Sequence, residues 1–170
     1  MDWMKSIMGL RYIRAEKKDV DLLIKIYNAA FYADYVKYGE CPAYGKTREE
    51  MEASIEKFQK LIIYSVNNPI GAISIADRGD GEYYLGCLCI IPEYQGKGIG
   101  THAFHYILDI YCDWKKITLV TPADKEENIK FYTEKCGFIV SGTEMDGNVS
   151  VAHFLLKIFE ALQRNANLIP

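Results

Sequence analysis

The stretch from Glu82 to Thr101 constrains the fold more than any other part of the chain. It opens with a strand-length run, Glu82 to Ile91, that is apolar on both faces and so belongs deep in a sheet. It ends in Pro92–Glu93–Tyr94–Gln95–Gly96–Lys97–Gly98–Ile99–Gly100–Thr101. Three glycines at alternate positions leave that backbone without the Cβ atoms that would hold a ligand off. A helical pattern follows, Gly98 to about Trp114, with Ile99, Ala103, Tyr106, Ile107 and Ile110 on one side. The amides of Gly96 to Thr101 can therefore point at one spot, and the helix dipole adds positive potential there. Such a turn suits an anion, most naturally a phosphate or pyrophosphate.

Other phosphate loops fit less well. A P-loop needs Gly, four residues, then Gly-Lys-Ser/Thr, and no such string occurs. A dinucleotide fingerprint needs a third glycine five residues after the first, and that position is Thr101. The turn also comes late in the chain, whereas that fingerprint sits on the first strand of its domain. A tight strand-to-helix turn with no ligand would need only one glycine.

The rest of the chain supplies a mixed sheet with helices on both faces. Leu10 to Ala15 reads as a strand. Asp19 caps a helix whose apolar face is Val20, Leu23, Ile24, Tyr27 and Phe31. Tyr32 to Lys46 reads as a loop or partial helix. Thr47 and Glu50 form a capping box for a helix to about Phe58. Strands follow at Lys60 to Val66 and Ile70 to Ala76, with a turn at Asn67–Asn68–Pro69 between them. Asp77 to Gly81 is a second turn. Beyond the glycine turn come a short buried strand, Ile117 to Thr121, and a helix capped by Asp124 with Glu127 and ended by Gly137. Phe138 to Met145 and Val149 to Leu156 close the chain as a hairpin, and the tail after Lys157 adds a short helix.

Composition narrows the function classes. At 170 residues, with no repeat or linker, one domain over 1–170 is expected. A net charge of −3 argues against a nucleic-acid partner, which needs a basic face. No stretch is apolar and long enough to span a membrane. The start carries Asp2, Lys5 and Ser6, which break any signal-peptide pattern. The five cysteines, Cys41, Cys87, Cys89, Cys112 and Cys136, fit no disulfide frame and read as reduced thiols in the cytoplasm.

The glycine turn carries a resemblance. Gln95-x-x-Gly98-x-Gly100 after a buried strand resembles the acetyl-CoA signature of the GNAT N-acetyltransferase superfamily, Gln/Arg-x-x-Gly-x-Gly/Ala. Tyr132-x-x-x-x-Gly137-Phe138, 34 residues after Gly98, resembles that family's second landmark. The element order matches too: a mostly antiparallel α/β sheet that splays between its fourth and fifth strands. The resemblance covers about Leu10 to Leu156 and is only topological in the first half.

The resemblance implies an enzyme that moves an acetyl group from acetyl-CoA to a primary amine of a small molecule or peptide. It implies transfer within a ternary complex and a homodimer as the assembly. The backbone of Leu88, Cys89 and Ile90 would line the pantetheine arm. Gln95, Gly96, Lys97, Gly98, Ile99, Gly100 and Thr101 would hold the pyrophosphate. The amide of Ile90 or its neighbour would polarise the thioester carbonyl, and Tyr132 would protonate the departing thiolate. A tyrosine is a fair match for that proton, since its pKa lies near that of a thiol.

Two departures stand out. Where many relatives carry an Asn, seven residues before the Tyr, this chain has Lys125; Asn128 is the substitute. Where some carry a basic Glu, eleven residues before the Gln, it has Tyr84; Glu82, of the same strand parity, is the candidate base. Tyr32 and Tyr35, with Tyr38 and Tyr44 beside them, and Tyr84 are candidate acceptor contacts, since aromatic faces suit a cationic amine. No metal is expected. Cys87 and Cys89 share a strand face, and His102 and His105 a helix side, but neither pair has a third ligand. A different acyl donor, or a regulatory protein that binds CoA without catalysis, are the alternatives.

Overall fold

The structure is a computed structural model, and it describes residues 9–166. The chain start, where the sequence lacks a signal-peptide pattern, lies outside them. Among the described residues, seven strands lie in the order β1-β2-β3-β4-β5-β7-β6, mostly antiparallel, with five α-helices. The chain falls into two compact units.

The first unit runs to Ala76 and adds Gly86–Tyr106. Strand β1 (Leu10–Arg14) pairs antiparallel with β2 (Gln59–Ser65), and β2 pairs antiparallel with β3 (Asn68–Gly79). Helix α1 (Val20–Tyr38) buries Val20, Leu23, Ile26 and Tyr27. Ile26 therefore takes the core position expected of Ile24, and Phe31 is only partly buried against the core. The stretch from Tyr32 to Lys46, expected as a loop or partial helix, is helical for its first seven residues and irregular after them. Nothing there breaks a helix until Gly39, which adopts φ 74° and donates its amide to the Tyr35 carbonyl. Helix α2 (Arg48–Lys57) begins with the expected box: the Glu50 amide donates to Thr47 Oγ1 at 3.2 Å, and the Thr47 amide to Glu50 Oε2 at 2.8 Å. Met51 joins Val20, Leu23, Ile62 and Ala72 in the core.

The second unit holds Asp77–Leu85 and the chain from Ile107. Strand β4 (Glu82–Ile90) starts here and pairs parallel with β5 (Lys116–Pro122) over Glu82–Tyr84. Strand β7 (Val149–Lys157) lies antiparallel between β5 and β6 (Ile139–Asp146). Phe138, Phe154, Ile117 and Leu156 are all at 3% exposure or less and make the unit's interior. Gly81 has φ 78°, and a Cβ there would meet the Asp113 carbonyl at 2.6 Å, so only glycine fits the turn into β4. Strand β4 is less enclosed than its apolar run predicts: Tyr83, Leu85 and Cys89 are buried, while Gly86 is exposed.

Helix α3 (Ile99–Ile110) is shorter than expected, ending before Tyr111. Helix α4 (Glu126–Lys130) is followed by a π-helical turn, Phe131–Lys135, and α5 (Ile158–Ala166) ends the described chain. The cap of α4 differs from the expectation: Lys125 is the N-cap, without a side-chain capping bond, and the Asp124 carbonyl accepts from the Glu126 amide at 3.1 Å. No helix is long and apolar enough to cross a membrane among the described residues.

Candidate functional site

In the first unit, β4 runs into a short 3₁₀ turn, Pro92–Tyr94, and then into the glycines. Gly96 and Gly98 have φ of 70° and 77°, the left-handed region that side chains avoid. An added Cβ at either would meet nothing within 4 Å. Packing therefore does not demand these glycines; the turn is open ground with backbone on show. Ile99 behind it is 1% exposed and roots the helix by burial. The first α-helical bond is His102 N–H to the Gly98 carbonyl, 3.1 Å. The amides before it have no acceptor within the helix. Donors left over at a helix start in this way are the kind an anion takes up, and at Gly96 and Gly98 no Cβ stands beside them.

Gln95 is tied back to the strand, its Nε2 donating to the Ile90 carbonyl at 2.8 Å. It fastens the turn to the end of β4. Lys97 lies with its ammonium 5.1 Å from the centre of the Tyr94 ring. Leu88 and Ile90 are half-buried and Cys89 is buried. Strands β3 and β4 approach closely here: a Cβ on Gly71 would sit 2.4 Å from the Cys89 carbonyl. The Ile91 amide is donated to the Ile70 carbonyl at 2.9 Å, so that neighbour of Ile90 is engaged within the sheet.

In the second unit, Asn128 donates from Nδ2 to Thr121 Oγ1 at 2.8 Å, linking α4 to β5. Tyr132 sits in the π-helical turn at 7% exposure. The turn is recorded in its hydrogen bonds: Cys136 N–H reaches back five residues to the Phe131 carbonyl. Phe138 N–H then bonds the Tyr132 carbonyl at 2.9 Å across Gly137, whose φ is 78°. The rings of Phe131, Phe138 and Phe154 stand 5.0, 5.7 and 5.7 Å from that of Tyr132. Packing thus fixes the ring on three sides.

The remaining candidates are spread out. Glu82 begins β4 in an ion pair with Lys116, 2.7 Å, and is half exposed. Such a pair ties the carboxylate to its neighbour. Tyr84 is half-buried; burial raises its pKa, and the Arg78 guanidinium 5.3 Å from its ring works the other way. Tyr32 and Tyr35 extend from α1 toward Tyr44, with ring centres 5.9 and 4.5 Å from it. Both are substantially exposed, at 57% and 42%. No group of three or more His, Cys, Asp or Glu is gathered as for a metal among the described residues.

Two polar clusters escaped the sequence reading. Lys60 on β2 is 2% exposed, donating to Ser74 Oγ at 2.8 Å and Tyr27 OH at 3.2 Å. Burial pushes its pKa down to about 8. The Cys87 thiol nearby is held below its usual range, chiefly by a hydrogen bond from Cys89, with Lys60 and Tyr27 contributing. A lysine at the rim of an apolar strand reads as solvated, so nothing in the sequence marked it. The second cluster is Tyr12, His102 and Tyr106. His102 turns toward β1 while His105 is exposed, so the two histidines do not act together.

A family model described as acetyltransferase (GNAT) family matches residues 21–138. Over 77 residues the chain is 34% identical to the uncharacterized protein YrkN of Bacillus subtilis, which is 45% of this chain and 42% of that protein. The match thus spans less than half of that relative's length. Among solved structures, an acetyltransferase of Thermus thermophilus aligns with a TM-score of 0.71 at 15% identity, over 89% of this chain and 99% of that one. The PaiA N-acetyltransferase of Thermoplasma acidophilum in complex with coenzyme A aligns at 0.70 and 19% identity, over 86% and 98%. The spermidine N-acetyltransferase of Vibrio cholerae with CoA and spermine also aligns at 0.70 and 19%, over 91% and 98%.

Proposed function

The chain belongs to the GNAT acetyltransferase family, and from that premise we propose that it transfers an acetyl group from acetyl-CoA to a primary amine of a small molecule or peptide. The observation that carries the reading is the open glycine turn, where Gly96 and Gly98 hold left-handed backbone that packing does not require. A pyrophosphate explains why the ground is kept clear. That two structural neighbours were solved with coenzyme A supports the donor, and that one holds spermine supports an amine acceptor.

Transfer is direct. The amine nitrogen attacks the thioester carbonyl, a C–N bond forms, and the C–S bond breaks. Gln95 through Thr101 hold the pyrophosphate, and Leu88, Cys89 and Ile90 align the pantetheine arm. The amide of Ile90 or Cys89 polarises the carbonyl, since Ile91 is engaged with Ile70. Tyr132 gives its proton to the departing thiolate, and its packed ring keeps the hydroxyl in one place. Asn128 braces that helix through Thr121. The nascent ammonium loses its proton to Glu82 or to a water chain. Tyr32, Tyr35 and Tyr84 bound the acceptor. The five free cysteines support a reducing compartment, the cytoplasm.

Calorimetry with CoA and a thiol-release assay over a panel of amines test this. Expected are micromolar binding, about −8 kcal/mol, and thiol release with at least one amine. No CoA binding removes the reading. Binding without release on any amine, acetyl or longer acyl-CoA alike, leaves a CoA-binding regulator in its place.

A further inference from the structure

The first turns of α3 are gripped from the opposite end of the sequence. Tyr12 on β1 and His102 on α3 are 90 residues apart, and Tyr12 OH lies 2.7 Å from His102 Nδ1. The Tyr12 ring stacks on Tyr106, with centres 4.0 Å apart and planes at 13°. It also lies nearly parallel to the His102 ring, at 6.0 Å. His102 and Tyr106 are i and i+4, so one tyrosine spans a full turn of the helix. All three side chains are half-buried, and burial, with Tyr106 beside it, raises the Tyr12 pKa. The hydroxyl therefore stays protonated and shares a hydrogen bond with Nδ1 whose direction follows the imidazole tautomer.

What makes this contact more than packing is where it falls. His102 is the residue whose amide closes the first helical turn on the Gly98 carbonyl. Fixing His102 fixes the direction in which the amides just before it point. At its start the turn is fastened by Gln95 to the Ile90 carbonyl, and between that bond and His102 nothing lies within 4 Å of where Cβ atoms on Gly96 or Gly98 would be. Ile99 roots the helix by burial, which sets its depth but is not directional. A hydrogen bond is directional, and it sits one turn from the anion cradle.

We infer that Tyr12 is a positioning residue for the pyrophosphate cradle, acting through its hydrogen bond to His102. This rests on the proposed use of acetyl-CoA. The hydroxyl aims the glycine-turn amides, and the ring on Tyr106 keeps the hydroxyl at His102. Tyr12→Phe retains the stack and removes the bond.

The test pairs wild type, Tyr12→Phe, His102→Ala and the double variant with two donors, acetyl-CoA and S-acetyl-pantetheine, which lacks the pyrophosphate. Binding of CoA is measured on each protein by calorimetry, with a melting curve alongside. Expected for Tyr12→Phe is a KM for acetyl-CoA and a CoA Kd raised about fivefold, the net worth of one hydrogen bond. Its kcat should match wild type, and its KM for S-acetyl-pantetheine should not move. The double variant should be no worse than the more impaired single one, because both break the same bond. Unchanged affinity for CoA, an equal loss on both donors, or additive losses would each overturn the inference while leaving the acetyltransferase reading intact. Wild type that binds no CoA would remove both.

Discussion

At Gly96 and Gly98 the chain leaves space where side chains would stand, and at Tyr132 it fills space with three neighbouring rings. Both stretches belong to motifs, yet they carry information differently. In the glycine turn, positive φ selects glycine at Gly96 and Gly98 while nothing packs against the missing Cβ atoms, so the space beside the backbone is open to a ligand. In the π-helical turn the same ring would serve packing and catalysis alike. In the first case a side chain placed in the open space tests for a ligand. In the second, a measurement that splits the hydroxyl from the ring separates packing from catalysis.

The largest effect should come from breaking the first stretch. Gly98→Val forces a β-branched residue into φ near 77°, a conformation such residues rarely adopt. It also places a side chain where the anion would rest. CoA binding should weaken more than about 100-fold in calorimetry, with the melting temperature lowered only modestly because nothing packs on that position. Tight CoA binding by this variant would end the account of the turn.

Next in size is Tyr132→Phe, which keeps the three ring contacts and deletes the proton. Turnover on folded enzyme should drop about 100-fold, with CoA affinity nearly unchanged, because the hydroxyl acts in the transition state. Wild-type kcat with a lowered melting temperature would assign Tyr132 to packing alone.

A smaller effect sharpens the contrast between the two interiors, since the first buries an ammonium and the second buries rings. Burial lowers Lys60 from 10.5 to about 8. Between those values the unfolded chain binds more protons, so this group's contribution to stability rises with pH across that window. Below pH 8 its destabilising effect is fully present. Lys60→Met abolishes the dependence. The wild type should gain about 5 °C in Tm relative to this variant between pH 8 and 10.5. A difference that stays flat across that range would mean Lys60 keeps its ordinary protonation when folded.

Much of this was legible before any coordinates. The Thr47–Glu50 box, the glycine turn and the Gly137 stop were each readable because a backbone requirement selects a particular residue. How far α1 runs past Tyr32 was legible only as a choice between loop and partial helix, since tyrosines are neutral toward helix and only Gly39 marks the end. The cap at Asp124 misled because a box spacing says nothing about where the chain turns. Lys60 and the Tyr12–His102 bond were invisible for another reason: their partners are far away in sequence, 14 and 33 residues for Lys60 and 90 for Tyr12.

The π-helical turn also sets a rule about length. A stretch with a bond back five residues holds one residue more than an α-helix of the same rise would need. Deleting any one residue of Phe131–Lys135 would let the segment relax to ordinary α geometry. Each residue of an α-helix advances about 100° around the axis, and the wider turn absorbs one residue's worth of that rotation, so the segments on either side keep the phase of a helix one residue shorter. The extra residue therefore widens the turn that carries Tyr132 and leaves the Gly137–Phe138 stop in place. A deletion within this stretch narrows the turn around Tyr132, whereas a deletion in ordinary α-helix changes the phase of everything after it.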